Sequence, residues 1–159
     1  MTFSIRKATL DDAEAACAVL RRSIEECCME DHRHDAGILT RWLQDKTPKN
    51  LRSWFESPRG YAVVAEVEGG IVGTAMLGGN GRIALCYLVP EARFIGIGKA
   101  MLCALEDEGR RRGLAAIELG STKTAETFYR RNGYIETGTN EVVFGLTSRG
   151  MRKAILQQD

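Results

Sequence analysis

The sequence predicts a mixed α/β domain over residues 1–159, with a central sheet of about six to seven strands and helices on both faces. Three observations predict it. A chain of 159 residues suits one domain, long enough to bury about two-thirds of its unfolded surface. Short strand-like runs are interspersed with longer stretches whose apolar residues recur at helical spacing. An unbroken apolar run, Ile83 to Val89, stops at Pro90 and passes through a loop holding Arg93, Gly96 and Gly98 into a helix with Ile97, Met101 and Leu105 on one side.

In chain order, Phe3 and Ile5 alternate with polar residues as a half-buried strand. Thr9 stands three residues before Asp12, a capping-box-like start. Ala13, Ala16, Leu20, Ile24 and Cys27 then carry a helix to about Met29. Asp31-His32-Arg33-His34-Asp35 reads as a polar connection that lines an acceptor pocket or only joins two helices. A metal site is not expected there, because both histidines of the chain fall in this one loop and no second ligand pair stands elsewhere. Ile38, Leu39, Trp42 and Leu43 form an apolar stripe, and Thr47-Pro48 reads as N-cap and first residue of a further helix that Pro58 stops. Both tryptophans keep step with the apolar period and are expected in the core.

Tyr61–Val67 and Ile71–Leu77 flank Glu68-Gly69-Gly70, a hairpin signal. The helix from Ile97 should end at Arg110-Arg111-Arg112 before Gly113, where cations complement the C-terminal dipole and glycine supplies the cap. Ala115–Leu119 reads as a buried strand, Ser121, Thr122 or Thr124 as the cap of the next helix, and Gly133 as its end. Tyr134–Thr137 and Val142–Leu146 read as closing strands, with a short amphipathic helix expected over Ser148–Leu156.

Composition removes several function classes. With 22 Lys and Arg against 21 Asp and Glu, the formal charge is +1, so no global field recruits nucleic acid or an anionic membrane. The start lacks an apolar signal core, and Ile83–Val89 is far too short to span a bilayer. Five cysteines in no framework spacing read as free thiols of a reducing, cytoplasmic compartment.

The strand–glycine loop–helix junction is an anion site in form: glycines admit a close approach, and the helix start offers unpaired N–H groups with the positive end of the dipole. A dinucleotide fingerprint would need a small residue where Met101 stands. A P-loop would need a hydroxyl where Ala100 stands. What remains is Arg93-Phe94-Ile95-Gly96-Ile97-Gly98, which resembles the coenzyme A pyrophosphate loop of the GNAT superfamily of acetyltransferases. Ala125-Glu126-Thr127-Phe128-Tyr129-Arg130-Arg131-Asn132-Gly133-Tyr134 is similar to the segment that follows in that family. The resemblance implies a mainly antiparallel sheet of GNAT type, acetyl-CoA as cosubstrate without a metal, and transfer of its acetyl group by direct attack of a primary amine on a small molecule or peptide.

Carried over by position, the resemblance places Cys86, Tyr87 and Leu88 along the pantetheine arm, with the Leu88 N–H as oxyanion donor. Arg93, Phe94, Ile95, Gly96, Ile97, Gly98 and Lys99 would hold the pyrophosphate, Lys99 being otherwise a solvated helix residue. Tyr129 matches the general acid that faces the coenzyme sulfur, or is a core aromatic beside Phe128. The acceptor is expected between the first helices and a late hairpin near Thr139–Glu141, with Asp31, His32 and Asp35 at the entrance. Two positions depart from the pattern: Thr122 replaces a frequent asparagine that touches the coenzyme, to which it would still donate one hydrogen bond, and Arg82 replaces a frequent glutamate base. Glu118 is the remaining candidate base, or an exposed ion-pairing residue. The resemblance also allows a homodimer. A second function class, a non-catalytic coenzyme A-binding module, fits the absent Glu at position 82; Tyr129 favours catalysis.

Overall fold

The computed structural model describes residues 2–156; residue 1 and residues 157–159, the ends of the expected 1–159 domain, lie outside the described residues. Seven strands and six helices follow one another in the described residues: β1 (Phe3–Lys7), α1 (Ala13–Cys27), α2 (Met29–His32), α3 (Ala36–Leu43), α4 (Pro48–Glu56), β2 (Tyr61–Val67), β3 (Gly70–Leu77), β4 (Ile83–Leu88), α5 (Ile97–Arg111), β5 (Ala116–Ser121), α6 (Glu126–Arg131), β6 (Ile135–Val143) and β7 (Leu146–Ala154). The mixed α/β architecture with helices on both faces is as the sequence predicts. The strands divide into two antiparallel sheets, ordered β1-β2-β3-β4 and β5-β7-β6.

The sheets meet at one parallel bridge, Arg82 to Glu118, where the Glu118 N–H donates to Gly81 O at 3.3 Å. Beyond that bridge β4 and β5 part. The strand edges facing the gap therefore keep main-chain groups that no neighbouring strand satisfies, and such groups need another partner.

Burial on both faces explains why β2 reads as an unbroken apolar run. Val63 and Ala65 turn toward α5, where they pack with Ile97, Met101, Leu102 and Leu105. Ala62 and Val64 turn the other way, toward Ala13, Ala16, Cys17 and Leu20 of α1. The period of two sends alternate residues to opposite faces, and both faces here are covered. Each large aliphatic side chain fully buried this way stabilises the fold by about 1.5–3 kcal/mol.

Local signals act as their chemistry requires. The Asp12 carboxylate accepts from the Thr9 N–H at 2.7 Å and pairs with both terminal nitrogens of Arg6 at 2.8 Å. Thr47 Oγ1 accepts from the Asn50 N–H at 3.2 Å, and Pro48 opens α4. Glu68 and Gly69 both take positive φ, the two-residue turn that matches strand twist. At the end of α5, Arg111 and Arg112 close on Glu108 and Arg110 on Asp107, so the arginine run is a capped helix terminus.

The C-terminal expectation fails. Residues 146–154 are strand β7, the central strand of the second sheet, rather than a helix over Ser148–Leu156. Val142–Leu146 is not one strand either, because Phe144 and Gly145 (φ 57° and 82°) form a two-residue turn between β6 and β7. Phe-Gly is a weak turn signal, and only Met151 of β7 is fully enclosed, so its periodicity was too faint to separate strand from helix. Thr139–Glu141 consequently lie in the body of β6 and not at the hairpin tip.

Candidate active site

The gap between β4 and β5 continues into a cavity of about 450 Å³. One wall is the end of α1 with Ser23, Cys27 and Cys28; the other is the β5–α6 turn with Thr122 and Thr124, followed by Phe128. Gly96, Gly98 and Lys99 close one end, with Arg93 and Arg131 on the rim.

The start of α5 leaves main-chain donors unpaired. The first helical bond runs from the Ala100 N–H to Gly96 O at 3.1 Å, so the N–H groups of residues 97–99 precede any helical acceptor. Gly96 has φ 92°, a left-handed conformation, and a side chain there would meet no atom within 4 Å. Gly98 serves a different purpose. A Cβ on it would stand 3.0 Å from the Phe128 ring, so its lack of a side chain lets α5 close on α6. Phe94 also has positive φ (65°) and is 89% exposed, its ring 4.8 Å from the Arg93 guanidinium. Ile95 is exposed and Ile97 is buried in the core, so only their main chain faces the loop's concave side.

Main-chain direction in β4 follows from one bond. The Val89 N–H donates to Val72 O at 3.0 Å, and antiparallel alternation then turns the N–H groups of Leu88 and Cys86 to the open edge. Cys27 Sγ lies 3.9 Å from Leu88 O on that same edge. By the same alternation the Tyr87 N–H faces β3. Tyr87 therefore meets the cavity with its side chain and not its amide.

Tyr129 lies at the root of the gap, in a narrow cavity of about 60 Å³ between β4 and β5 that it shares with Cys86, Tyr87 and Thr122. Its ring is buried against Phe128 and Tyr134, with centroids 5.2 and 5.7 Å away. Burial, followed by the neighbouring Cys86, raises the Tyr129 phenol well above its ordinary range. Burial likewise pushes the Cys86 and Cys28 thiols up to about 12, and raises the Tyr87 phenol. All four groups are neutral near pH 7, and Tyr129 keeps a proton to donate.

A third cavity, of about 170 Å³, opens on the far side of Tyr87 and Thr122 and is lined by Trp42, Lys46, Phe144 and Leu146. Tyr87 and Thr122 thus belong to all three cavities and mark the point where they join.

The polar side chains of residues 31–35 hold main-chain groups. His32 is fully buried; its Nε2 lies 3.1 Å from Glu25 O, and its Nδ1 accepts from the His34 N–H at 3.0 Å. Asp35 is the N-cap of α3 and accepts from the Ile38 N–H. Asp31 reaches across the cavity wall: its carboxylate accepts from the Lys123 N–H (2.7 Å), the Thr124 N–H (3.3 Å) and the Thr124 hydroxyl (2.6 Å). Each of the three is engaged by main chain, and Asp31 also lines the third cavity. The Asp31 clasp and Lys46 were not legible as site features, since both act between segments far apart in sequence. Thr122 Oγ1 accepts from the Ala125 N–H at 3.2 Å, so this threonine caps the turn into α6.

Glu118 is half exposed and lies 3.4 Å from Arg82 and 3.8 Å from Arg152, at the junction of the sheets. No carboxylate lines the 450 Å³ cavity among the described residues. No group of three or more His, Cys, Asp and Glu side chains converges on a metal position among them either.

The sheets part between β4 and β5, and a helix start with unpaired amides stands at one end of the gap. The acetyltransferase (GNAT) domain model matches residues 26–155, and the chain belongs to this family. No protein of curated function is close enough in sequence to match. Among solved structures, the chain is similar to a GCN5-related N-acetyltransferase from Rhodopseudomonas palustris (TM-score 0.86, 22% identity, covering 97% of this chain and 96% of that one). It is similar also to the PaiA N-acetyltransferase from Thermoplasma acidophilum in complex with coenzyme A (TM-score 0.85, 19% identity, 97% and 99% covered). A third is YncA, a putative acetyltransferase from Salmonella typhimurium with its cofactor acetyl-CoA (TM-score 0.73, 21% identity, 100% and 97% covered). The family's reaction is acetyl transfer from acetyl-CoA. The cavity has unpaired amides with Lys99 and Arg93 at one end and the open edge of β4 along its side.

Proposed function

We propose that the protein is an N-acetyltransferase that delivers the acetyl group of acetyl-CoA to a primary amine by direct attack. The observation that carries this reading is the junction of the cavities at Tyr87 and Thr122. A donor lying along β4 and an acceptor in the cavity beyond Tyr87 would meet there, within reach of the Tyr129 region. Acetyl-CoA supplies an activated acetyl group as its thioester.

Each residue then has a role. The amides of residues 97–99, with Lys99 and Arg93, hold phosphate oxygens. Cys86 and Leu88 present main-chain groups along the open edge, and the Leu88 N–H is placed to stabilise negative charge on the thioester oxygen. Tyr129, neutral and buried, donates its proton or a hydrogen bond to the departing sulfur. Glu118 is committed to Arg82 and Arg152, which favours water, rather than this carboxylate, as the carrier of the amine's proton.

The test is release of free thiol from acetyl-CoA with a mixed amine panel, comparing wild type with Tyr129→Phe. The hydroxyl alone is lost, so turnover should fall about 10²–10⁴-fold while KM changes little. A Tyr129→Phe variant with near-full turnover would assign the phenol to packing. Coenzyme A binding without thiol release for any amine would instead favour a non-catalytic coenzyme A-binding module, the reading that Arg82 in the usual glutamate position supports.

A further inference from the structure

Beyond Tyr87 the third cavity contains a feature that the acetyl-transfer reading does not use. Lys46, between α3 and α4, is buried to 9% side-chain exposure, and its Nζ stands 5.3 Å from the centre of the Phe144 ring. One of its three N–H donors is taken by the Asp45 carboxylate at 2.7 Å. Asp45 is 48% exposed, so water screens its charge, while the ammonium sits where water is largely excluded.

The position of Lys46 is fixed by its main chain. Lys46 O accepts from Arg21 Nη1 at 2.9 Å and from Cys17 Sγ at 3.2 Å, and the same Arg21 nitrogen donates to Leu43 O at 2.9 Å. Two side chains of α1 therefore pin the turn that presents the lysine. The wall also carries Trp42, Phe144 and Leu146 as apolar groups, with Ser148 and Thr147 among its polar ones. Asp31 is the acidic side chain on this wall among the described residues, and both its oxygens already accept hydrogen bonds. A site for a polycation would offer free carboxylates; this one offers a held cation beside aromatic and aliphatic walls.

We propose that the third cavity is a carboxylate-recognition site, and that the acceptor is a small amine of amino-acid type whose carboxylate pairs with Lys46 and whose apolar side chain lies against Trp42, Phe144 and Leu146. The substrate class rests on the acetyl-transfer reading; the anion site does not. Pairing the carboxylate with Lys46 also assists the chemistry. An ammonium beside a free carboxylate is held charged by it, and engaging that carboxylate in a partly dry cavity lets the amine lose its proton more readily. That suits a site with no carboxylate base along the donor cavity.

The test is binding of acetylated product analogues to the whole protein with saturating coenzyme A, followed by calorimetry. The probes are N-acetyl-L-phenylalanine, its neutral amide N-acetyl-L-phenylalaninamide, and spermidine as a polycation. The acid should bind about 10- to 100-fold tighter than the amide, the scale of a charged hydrogen bond. Lys46→Met, similar in length and apolar, should abolish that preference while leaving the coenzyme A-induced melting shift intact. Equal binding of acid and amide, binding of neither, preference for spermidine, or a preference that survives Lys46→Met would each overturn the proposal. The wild-type comparison stands even if Lys46→Met fails to fold. Acid-selective binding without acetyl transfer to any amine would leave the anion site standing and remove the transferase reading. Transfer to amines regardless of a carboxylate would do the reverse.

Discussion

Asp31 offers the sharpest perturbation, because a four-residue helix holds a carboxylate that ties two walls of the donor cavity together. Its partners are 92 and 93 residues away in sequence, on the turn that leads into α6. In effect the turn's free donors receive an N-cap supplied from elsewhere in the fold. Hydrogen bonds to a charged group contribute about 1.5–3 kcal/mol each in favourable settings. Lys123 is exposed and Asp31 only half-buried, so freed donors regain water, and Asp31→Ala should cost about 2–3 kcal/mol in all. For a chain of this size that lowers Tm by about 4–12 °C. Because Ser23, Cys27 and Cys28 stand on one wall and Thr122 and Thr124 on the other, loss of the clasp should also weaken coenzyme A binding. Thermal melting with and without coenzyme A measures both effects, and amide exchange at residues 122–126 should accelerate. Glu30→Ala is the control, removing a neighbouring exposed carboxylate with no such bonds. A Tm for Asp31→Ala within 1 °C of wild type would refute the reasoning. So would an equal loss from Glu30→Ala, which would reduce the effect to net charge.

Two further outcomes are expected. Lys99 is exposed and lines the donor cavity, so Lys99→Glu should leave Tm unchanged and weaken coenzyme A about tenfold at low salt, less so at high salt; an unaltered coenzyme A titration would remove Lys99 from the phosphate site. Gly98 is a poorer probe, since a Cβ there already crowds the Phe128 ring at 3.0 Å and would mix packing with binding effects. Asp12 is held down at about 2, against an ordinary 3.8, first by Arg6 and further by the Thr9 N–H. A carboxyl depressed in the folded state gives stability that is fully present above 3.8 and is lost as pH falls toward 2. With the screening that half-exposed Arg6 brings, about 1–2 kcal/mol should disappear over that window, and Asp12→Asn should remove this part of the slope in urea midpoints measured from pH 2 to 6. An unchanged slope would show the ion pair to be energetically silent.

The sequence by itself determined the elements whose signals are local. Thr47-Pro48, the Glu68-Gly69 turn, the Gly113 stop and the Arg93–Gly98 loop each carry their own backbone chemistry within a few residues, and each stands where that chemistry places it. The conformation of the Arg93–Gly98 loop was legible for the same reason, since a glycine-bearing helix start needs no distant partner to leave its first amides unpaired. The β6–β7 hairpin was misread because its turn, Phe144-Gly145, lacks the usual residues and its exposed strands bury too little to show a period. Tertiary structure decided the rest. Whether β4 and β5 pair or part depends on contacts between segments distant in sequence, and no residue in either strand announces it. The same holds for charge. Asp31, His32, Asp35 and Glu118 look alike as polar residues in a sequence, but their main-chain and ion-pair partners make them clasp, core, cap and sheet junction. Lys46, unremarked in the sequence, becomes a buried cation only because Arg21 and Cys17 fix its backbone at a cavity wall built from the opposite end of the chain.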